Sequence, residues 1–365
     1  MKLEGVDILD GAGMRRGMDL EIAEGRIARL SPGTARDHAP VVCPAPIDLQ
    51  VNGGGGRMLG DCEGPGDVLD ILAAHLRLGT AAILPTLISD TATATETAVH
   101  LVATARQADP GILGLHLEGP HIAVPGAHDP ATLRDMGDAD LAFLIDARAR
   151  VGHLLVTLAP ERVTPQQIAA LTEAGVVVSL GHTACSYEAA VAAFAAGARM
   201  ATHLFNAMSG LHHRAPGLVG AALTHAEAWG VIPDGHHVAD AALKIALAAH
   251  PGGAIPVSDA MAVAGTDAAG FSLAGRQVLR HEGRLTLTDG TLAGADISLL
   301  EGLGHIARLT ARPLAEVLPM GFDRPHRLLT GRANVLTAGA PARLLHLDGD
   351  AVEGFDGHAW HVLHA

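Results

Sequence analysis

Residues 111–120 read GILGLHLEGP, an apolar run that ends on the carboxylate of Glu118. Three other stretches share its form. GVVVSLGH at 175–182 ends on His182, ARMATHLF at 198–205 carries His203, and AIPVSDA at 254–260 carries Asp259. Each run has the length and composition of a strand buried on both faces, with its polar residue at the C-terminal tip. Eight parallel strands closed into a barrel would bring all such tips to one face. Two carboxylates and two imidazoles gathered there would form a hydrolytic metal centre.

Outward from these four runs the pattern alternates. Further strand candidates are APIDLQVNG (45–53), GTAAILPTL (79–87), GHLLVTLAP (152–160) and WGVIPDG (229–235). Helical patterns fill the gaps at 67–78, 92–107, 138–149, 165–174, 187–196 and 239–250. Thr164-Pro165 is a good helix start, a capping hydroxyl ahead of a proline at the first helical position. Gly79, Gly175 and Gly197 each stand where a helix should stop. Eight strands with interleaved helices predict a (β/α)8 barrel over residues 45–332. A doubly wound open sheet would want GxGxxG after its first strand; GGGG at 53–56 lacks that context and reads as a flexible loop. Residues 1–44 and 333–365 hold short alternating segments that cannot bury a core separately. Both ends are expected to pair into one small β-sandwich domain.

The 365 residues are 48% apolar and only 2% aromatic. That suits tight helix–strand packing and argues against aromatic platforms for a sugar polymer. A formal charge of −14 disfavours nucleic acid and anionic membrane as partners, yet leaves room for an anionic small substrate in a local Arg/His pocket. Cys43, Cys62 and Cys185 are odd in number and form no CxxC pair, which fits a reducing cytoplasm. The start, MKLEGVDILDG, has no apolar signal-peptide core, and no apolar run is long enough to span a bilayer.

His182 and His203 suit neutral imidazole ligands and Glu118 an oxygen ligand, a donor set for catalytic zinc or another divalent ion. Asp259 can work on the water such an ion would activate, or can simply cap a helix after the eighth strand. His116, two residues before Glu118, should point into the barrel one layer lower as a hydrogen-bonded interior residue. Cys185 has no adjacent base in the sequence and is not read as a nucleophile.

LHLEGP, SLGHT, ATHLFNAM with RAPGLVGAAL, PDGHHV and VSDAMAVAG, in this order, resemble the signature stretches of the N-acetylglucosamine-6-phosphate deacetylases of the amidohydrolase superfamily. The likeness runs over nearly the whole chain. It implies a metal-dependent barrel that hydrolyses the acetamide of a hexosamine 6-phosphate. On that resemblance, Glu118, His182 and His203 are metal ligands and Asp259 is the general base and acid. His128 hydrogen-bonds the substrate near its amide carbonyl. Asn206, Ala207, Arg214 and His237 hold the sugar phosphate, with Arg214 reaching across a homodimer interface. Where many amidohydrolases carry His-x-His, this chain has Gln50-Val51-Asn52. That form implies one divalent ion, zinc ahead of iron, cobalt or manganese, with Gln50 as a weak or water-mediated ligand. Two stretches depart from the family pattern. The late loop carries Asp296 where relatives have small hydroxyl residues, which implies either an altered sugar preference or a side chain facing away. The stretch GRMLGDCEG after the first strand is also unusual. Rival readings are hydrolysis of another N-acylated or cyclic amide, or a non-catalytic phosphosugar-binding barrel.

Overall fold

The computed structural model describes residues 1–365, and its central feature is eight parallel strands paired in chain order. They are Ile47–Val51, Ala82–Ile88, Gly114–Glu118, His153–Leu158, Val177–Leu180, Met200–Ala201, Ala228–Val231 and Ala254–Pro256. Six of the eight fall within a stretch expected from the sequence, and Ala82–Ile88 and Ala228–Val231 overrun theirs by one residue. The interior packs Leu84, Leu155, Val177, Met200, Ala228 and Ile255 into one apolar cluster. Above it lies a polar layer. His116 bonds the Thr157 hydroxyl at 2.8 Å, Thr157 meets Thr202 at 2.7 Å, and Thr202 meets Ser179 at 2.6 Å. Burial pushes His116 down to about 4, so the ring is a neutral member of this layer. The strand tips that follow are thus fixed from below by hydrogen bonds joining four strands.

Helices α1 (Pro65–Arg77), α2 (Ala92–Ala108), α3 (Asp138–Val151), α4 (Pro165–Glu173), α5 (Tyr187–Ala195), α6 (Gly217–His225) and α7 (Asp240–Ala249) follow the first seven strands in turn. After the eighth come α8 (Leu299–Thr310), α9 (Leu314–Val317) and α10 (Pro319–Thr330). At α4 the Thr164 hydroxyl accepts from Gln167 N at 3.3 Å, while the Gln167 side chain accepts from Thr164 N at 2.9 Å. This reciprocal pair satisfies two donors that a helix start leaves free.

Both ends of the chain enter one seven-stranded sheet. In spatial order its strands are Trp360–Leu363, Ala351–Phe355, Leu344–Asp348, Val41–Pro44, Lys2–Asp10, Gly13–Ala23 and Arg26–Pro32. The sheet curls on itself, because Ile27 N donates to Ala340 O at 2.9 Å and Ala342 N to Gly25 O at 2.8 Å. Val6, Ile8, Leu20, Ile27, Val42, Leu344 and Phe355 fill the space so enclosed.

Two local expectations change. GGGG at 53–56 is not a loose loop: Gly53–Gly54 pairs with Arg57–Met58 in a short hairpin. A Cβ on Gly53 would meet Arg57 O at 2.1 Å, so only glycine fits there. The second change is an unexpected four-stranded antiparallel sheet, Gly270–Leu273, Arg276–His281, Arg284–Leu287 and Leu292–Ala295, between the eighth strand and α8.

Candidate metal centre and active site

Glu118 ends the third strand, while His182, His203 and Asp259 stand just beyond the ends of the fifth, sixth and eighth. Three of these four residues have left-handed backbones, with φ of 49° at His182, 25° at His203 and 50° at Asp259. Such angles are costly for a residue with a Cβ and cluster where a side chain must be aimed. Here they turn each strand tip inward over the barrel mouth.

The convergence is tight. Glu118 Oε1 lies 3.0 Å from His203 Nε2 and 3.3 Å from His182 Nε2, and the two Nε2 atoms are 3.0 Å apart. All three residues are buried. His182 Nδ1 lies 2.7 Å from Val124 O and must donate to it, which leaves an Nε2 lone pair facing the cluster. Two imidazole nitrogens and one carboxylate oxygen directed at one point suit a divalent cation. Burial alone would raise Glu118, but the close His182 and His203 rings hold it well below the usual carboxylate range. The charged ligand form is therefore built in.

Asp259 is aimed from the first strand. Asn52 Nδ2 donates to Asp259 Oδ1 at 2.7 Å, and Gln50 Nε2 donates to the same oxygen at 3.1 Å. Gln50 Nε2 also donates to Glu118 Oε1 at 3.0 Å. The amide that the resemblance made a weak ligand thus presents its NH2 group and bridges two carboxylates. Burial, then the Glu118 charge, push Asp259 up to about 6, the range a proton carrier needs near neutrality. No helix starts at Asp259; the next one, α8, is capped by Ser298. The capping alternative is therefore removed.

His128 shows a defined tautomer. Its Nδ1 accepts from Ser89 N at 3.1 Å, so the ring proton sits on Nε2, 3.8 Å from Glu118 Oε2. Burial, then the neighbouring His182, push it down to about 3, which keeps the ring neutral.

A cavity of about 260 Å³ opens over this cluster. Asn206, Ala207 and His237 line it together with Asn52, Glu118, His128, His182, His203 and Asp259. His237 Nδ1 is 2.6 Å from Asp234 Oδ2, and Asp234 Oδ1 accepts the backbone N–H groups of His236 and His237, both at 2.8 Å. Arg214 is exposed and outside this lining, so one chain does not bring it to the cavity. Asp296 also stays out. Its carboxylate accepts from Arg280 Nε at 2.7 Å, which explains the departure in the late loop as an internal ion pair.

Several contributors escaped the sequence reading. Leu273, Leu292 and Gly294 of the four-stranded sheet, with Thr291 in its last turn, form one wall of the cavity. Hairpin signals were present at Ala274-Gly275, Glu282-Gly283 and Asp289-Gly290. At Gly294, φ is 73° and a Cβ would meet Met261 Cγ at 2.3 Å, so this wall sits directly on the eighth-strand loop. Asp234 had a local signal in its three-residue spacing from His237. Ser89 had none, since its role arises only from the fold.

No protein-family model matches the chain. It is 37% identical over 343 residues to the N-acetylgalactosamine-6-phosphate deacetylase of Escherichia coli O157:H7, covering 90% of each. It is 35% identical over 330 residues to the human N-acetylglucosamine-6-phosphate deacetylase, covering 84% of this chain and 80% of the relative. Among solved structures, the N-acetylglucosamine-6-phosphate deacetylase of Pasteurella multocida superposes with a TM-score of 0.89 at 29% identity over 99% of both chains. A mutant of the Mycobacterium smegmatis enzyme in complex with N-acetyl-D-glucosamine-6-phosphate gives 0.88 at 29% identity, over 99% of this chain and 98% of that one. Sequence and architecture agree from end to end: the chain belongs to the N-acetylglucosamine- and N-acetylgalactosamine-6-phosphate deacetylases, metal-centred barrels of the amidohydrolase type.

Proposed function

We propose that this chain hydrolyses the acetamide of N-acetylglucosamine 6-phosphate, giving glucosamine 6-phosphate and acetate. The observation that carries the reading is the pairing of the Glu118–His182–His203 cluster with an Asp259 carboxylate aimed beside it. Those three residues would hold one divalent ion, zinc being the expected one, which would polarise the acetyl carbonyl and acidify water. Asp259 takes the proton from the attacking water and passes it to the departing amine. The Nε2–H of His128 donates to the carbonyl oxygen as negative charge develops there. Gln50 spans Glu118 and Asp259 and holds the two carboxylates at a fixed separation.

The 6-phosphate lies toward His237 and the Asn206–Ala207 turn, with Arg214 supplied by the partner in a homodimer. With His237 Nδ1 committed to Asp234, a second proton on Nε2 makes the ring a cationic donor, matched to a phosphate oxygen. Barrel residues 45–332 carry the whole site, and the terminal unit, residues 1–44 with 333–365, lines none of the cavity. Three free, buried cysteines fit a cytoplasmic enzyme. No helix is long and apolar enough to cross a membrane.

A second reading concerns the epimer alone. Two N-acetylgalactosamine-6-phosphate deacetylases, at 37% and 38% identity, are more similar to the chain than the human glucosamine relative at 35%. Acetate release from gluco, galacto and manno N-acetylhexosamine 6-phosphates, with metal analysis of the same sample, tests both readings. Fastest turnover on the gluco epimer supports the first, and on the galacto epimer the second. No metal-dependent acetate release from any of them would overturn both.

A further inference from the structure

The barrel has a seam. The first and eighth strands form no ladder of their own, and a single bridge, Val51 with Ala260 in the loop beyond the eighth strand, joins the two sides. Backbone N–H groups buried at this join need another acceptor. Asp48, fully buried on the first strand, supplies it: Oδ1 accepts from Gln50 N at 3.1 Å, and Oδ2 from Ser258 N at 3.1 Å. The Ser258 hydroxyl accepts from Ala260 N at 3.2 Å. One carboxylate thus ties down residues on both sides of the seam.

Ser258 is bonded directly to Asp259, whose φ of 50° must be enforced from outside. Three anchors enforce it. Asp48 holds Ser258 N on one side, Asn52 N donates to Ala260 O at 2.9 Å on the other, and Ala295 N donates to Asp259 O at 3.1 Å. The side chains of Gln50 and Asn52, from the same strand as Asp48, then fix the carboxylate itself. The first strand is a clamp on the proton carrier, with Asp48 as its buried root.

We propose that Asp48 is a positioning residue for catalysis, setting the Ser258–Asp259 peptide so that the Asp259 carboxylate stays in reach of both the water and the leaving amine. This rests on the reading of Asp259 as the proton carrier. In Asp48→Asn one acceptor atom becomes a donor and opposes an N–H of Ser258 or Gln50, so the peptide moves while the metal cluster, carried by the third, fifth and sixth strands, does not.

The test compares parent, Asp48→Asn, Ser258→Ala and Asp259→Asn as purified holoenzymes, recording metal per chain, kcat and KM on the preferred N-acetylhexosamine 6-phosphate. For Asp48→Asn the expected result is a kcat lower by roughly 10- to 100-fold with KM and metal content as in the parent. Parent-like kcat, or a loss that tracks KM or metal content, overturns the proposal. Should Asp48→Asn fail to fold, Ser258→Ala carries the test. It removes the hydroxyl that holds Ala260 N on the far side of Asp259, loosening the same Asp48-anchored turn, and should lower kcat several-fold at unchanged KM; an unchanged kcat overturns the proposal equally. Parent-like turnover in Asp259→Asn would instead refute the underlying reading of Asp259.

Discussion

Replacing Asp234 by Asn isolates the charge behind the proposed phosphate grip. Asp234 Oδ1 accepts two backbone N–H groups at 2.8 Å, and Oδ2 faces His237 Nδ1 at 2.6 Å. Its carboxyl is held below the usual range: burial opposes this, but the bond and charge of His237 outweigh it. In the Asn variant the amide oxygen stays with the two backbone donors, so the NH2 group faces Nδ1. That nitrogen must then accept, and the ring keeps one proton, on Nε2. His237 still donates toward the phosphate, but as a neutral ring. A hydrogen bond assisted by charge exceeds a neutral one by about 1.5 kcal/mol. At 1.4 kcal/mol per factor of ten, KM for the phosphorylated substrate should rise roughly tenfold. Acetate release read against both an N-acetylhexosamine 6-phosphate and its unphosphorylated counterpart is the assay. The unphosphorylated sugar should show no difference between variant and parent. An unchanged KM on the phosphorylated substrate, or an equal loss on both, would refute the reasoning.

Two other predictions concern separate parts of the site. His128→Ala removes the Nε2–H donor, and kcat should fall by about 10²-fold with KM little changed; a purely KM effect would place His128 in ground-state binding instead. Arg214→Ala should raise KM on phosphorylated substrates, and mixing it with inactive Asp259→Asn subunits should restore part of the activity, because a hybrid dimer holds one intact site. Failure of mixed samples to recover activity, with dimers demonstrably exchanging, would remove the cross-subunit role.

The barrel was legible because its strands are continuous apolar runs bounded by turn residues, a signal that survives even at the two-residue Met200–Ala201 strand. The Glu118, His182 and His203 cluster was legible for the same reason: each interrupts or ends one of those runs. What escaped depends on contacts between distant segments. Ser89 meets His128 across 39 positions and Asp48 meets Ser258 across 210, and neither leaves a local pattern. Gln50 was legible as a site residue, but which end of its amide faces inward followed only once two carboxylates were found beside it. Asp296 looked anomalous because its partner, Arg280, stands on a hairpin whose alternation is short and partly exposed. α6 was missed because Gly217–Leu223 is apolar all round and shows no amphipathic period.

The terminal sheet carries a consequence for synthesis. Val41–Pro44, near its centre, pairs on one side with Lys2–Asp10 and on the other with Leu344–Asp348. The first hairpins emerge from the ribosome early, yet the strand that completes them is made only after the whole barrel. Until then Val42 and its neighbours present an open edge and an apolar face, the surface most prone to aggregate. Translation of the entire barrel therefore sets how long the nascent chain stays vulnerable.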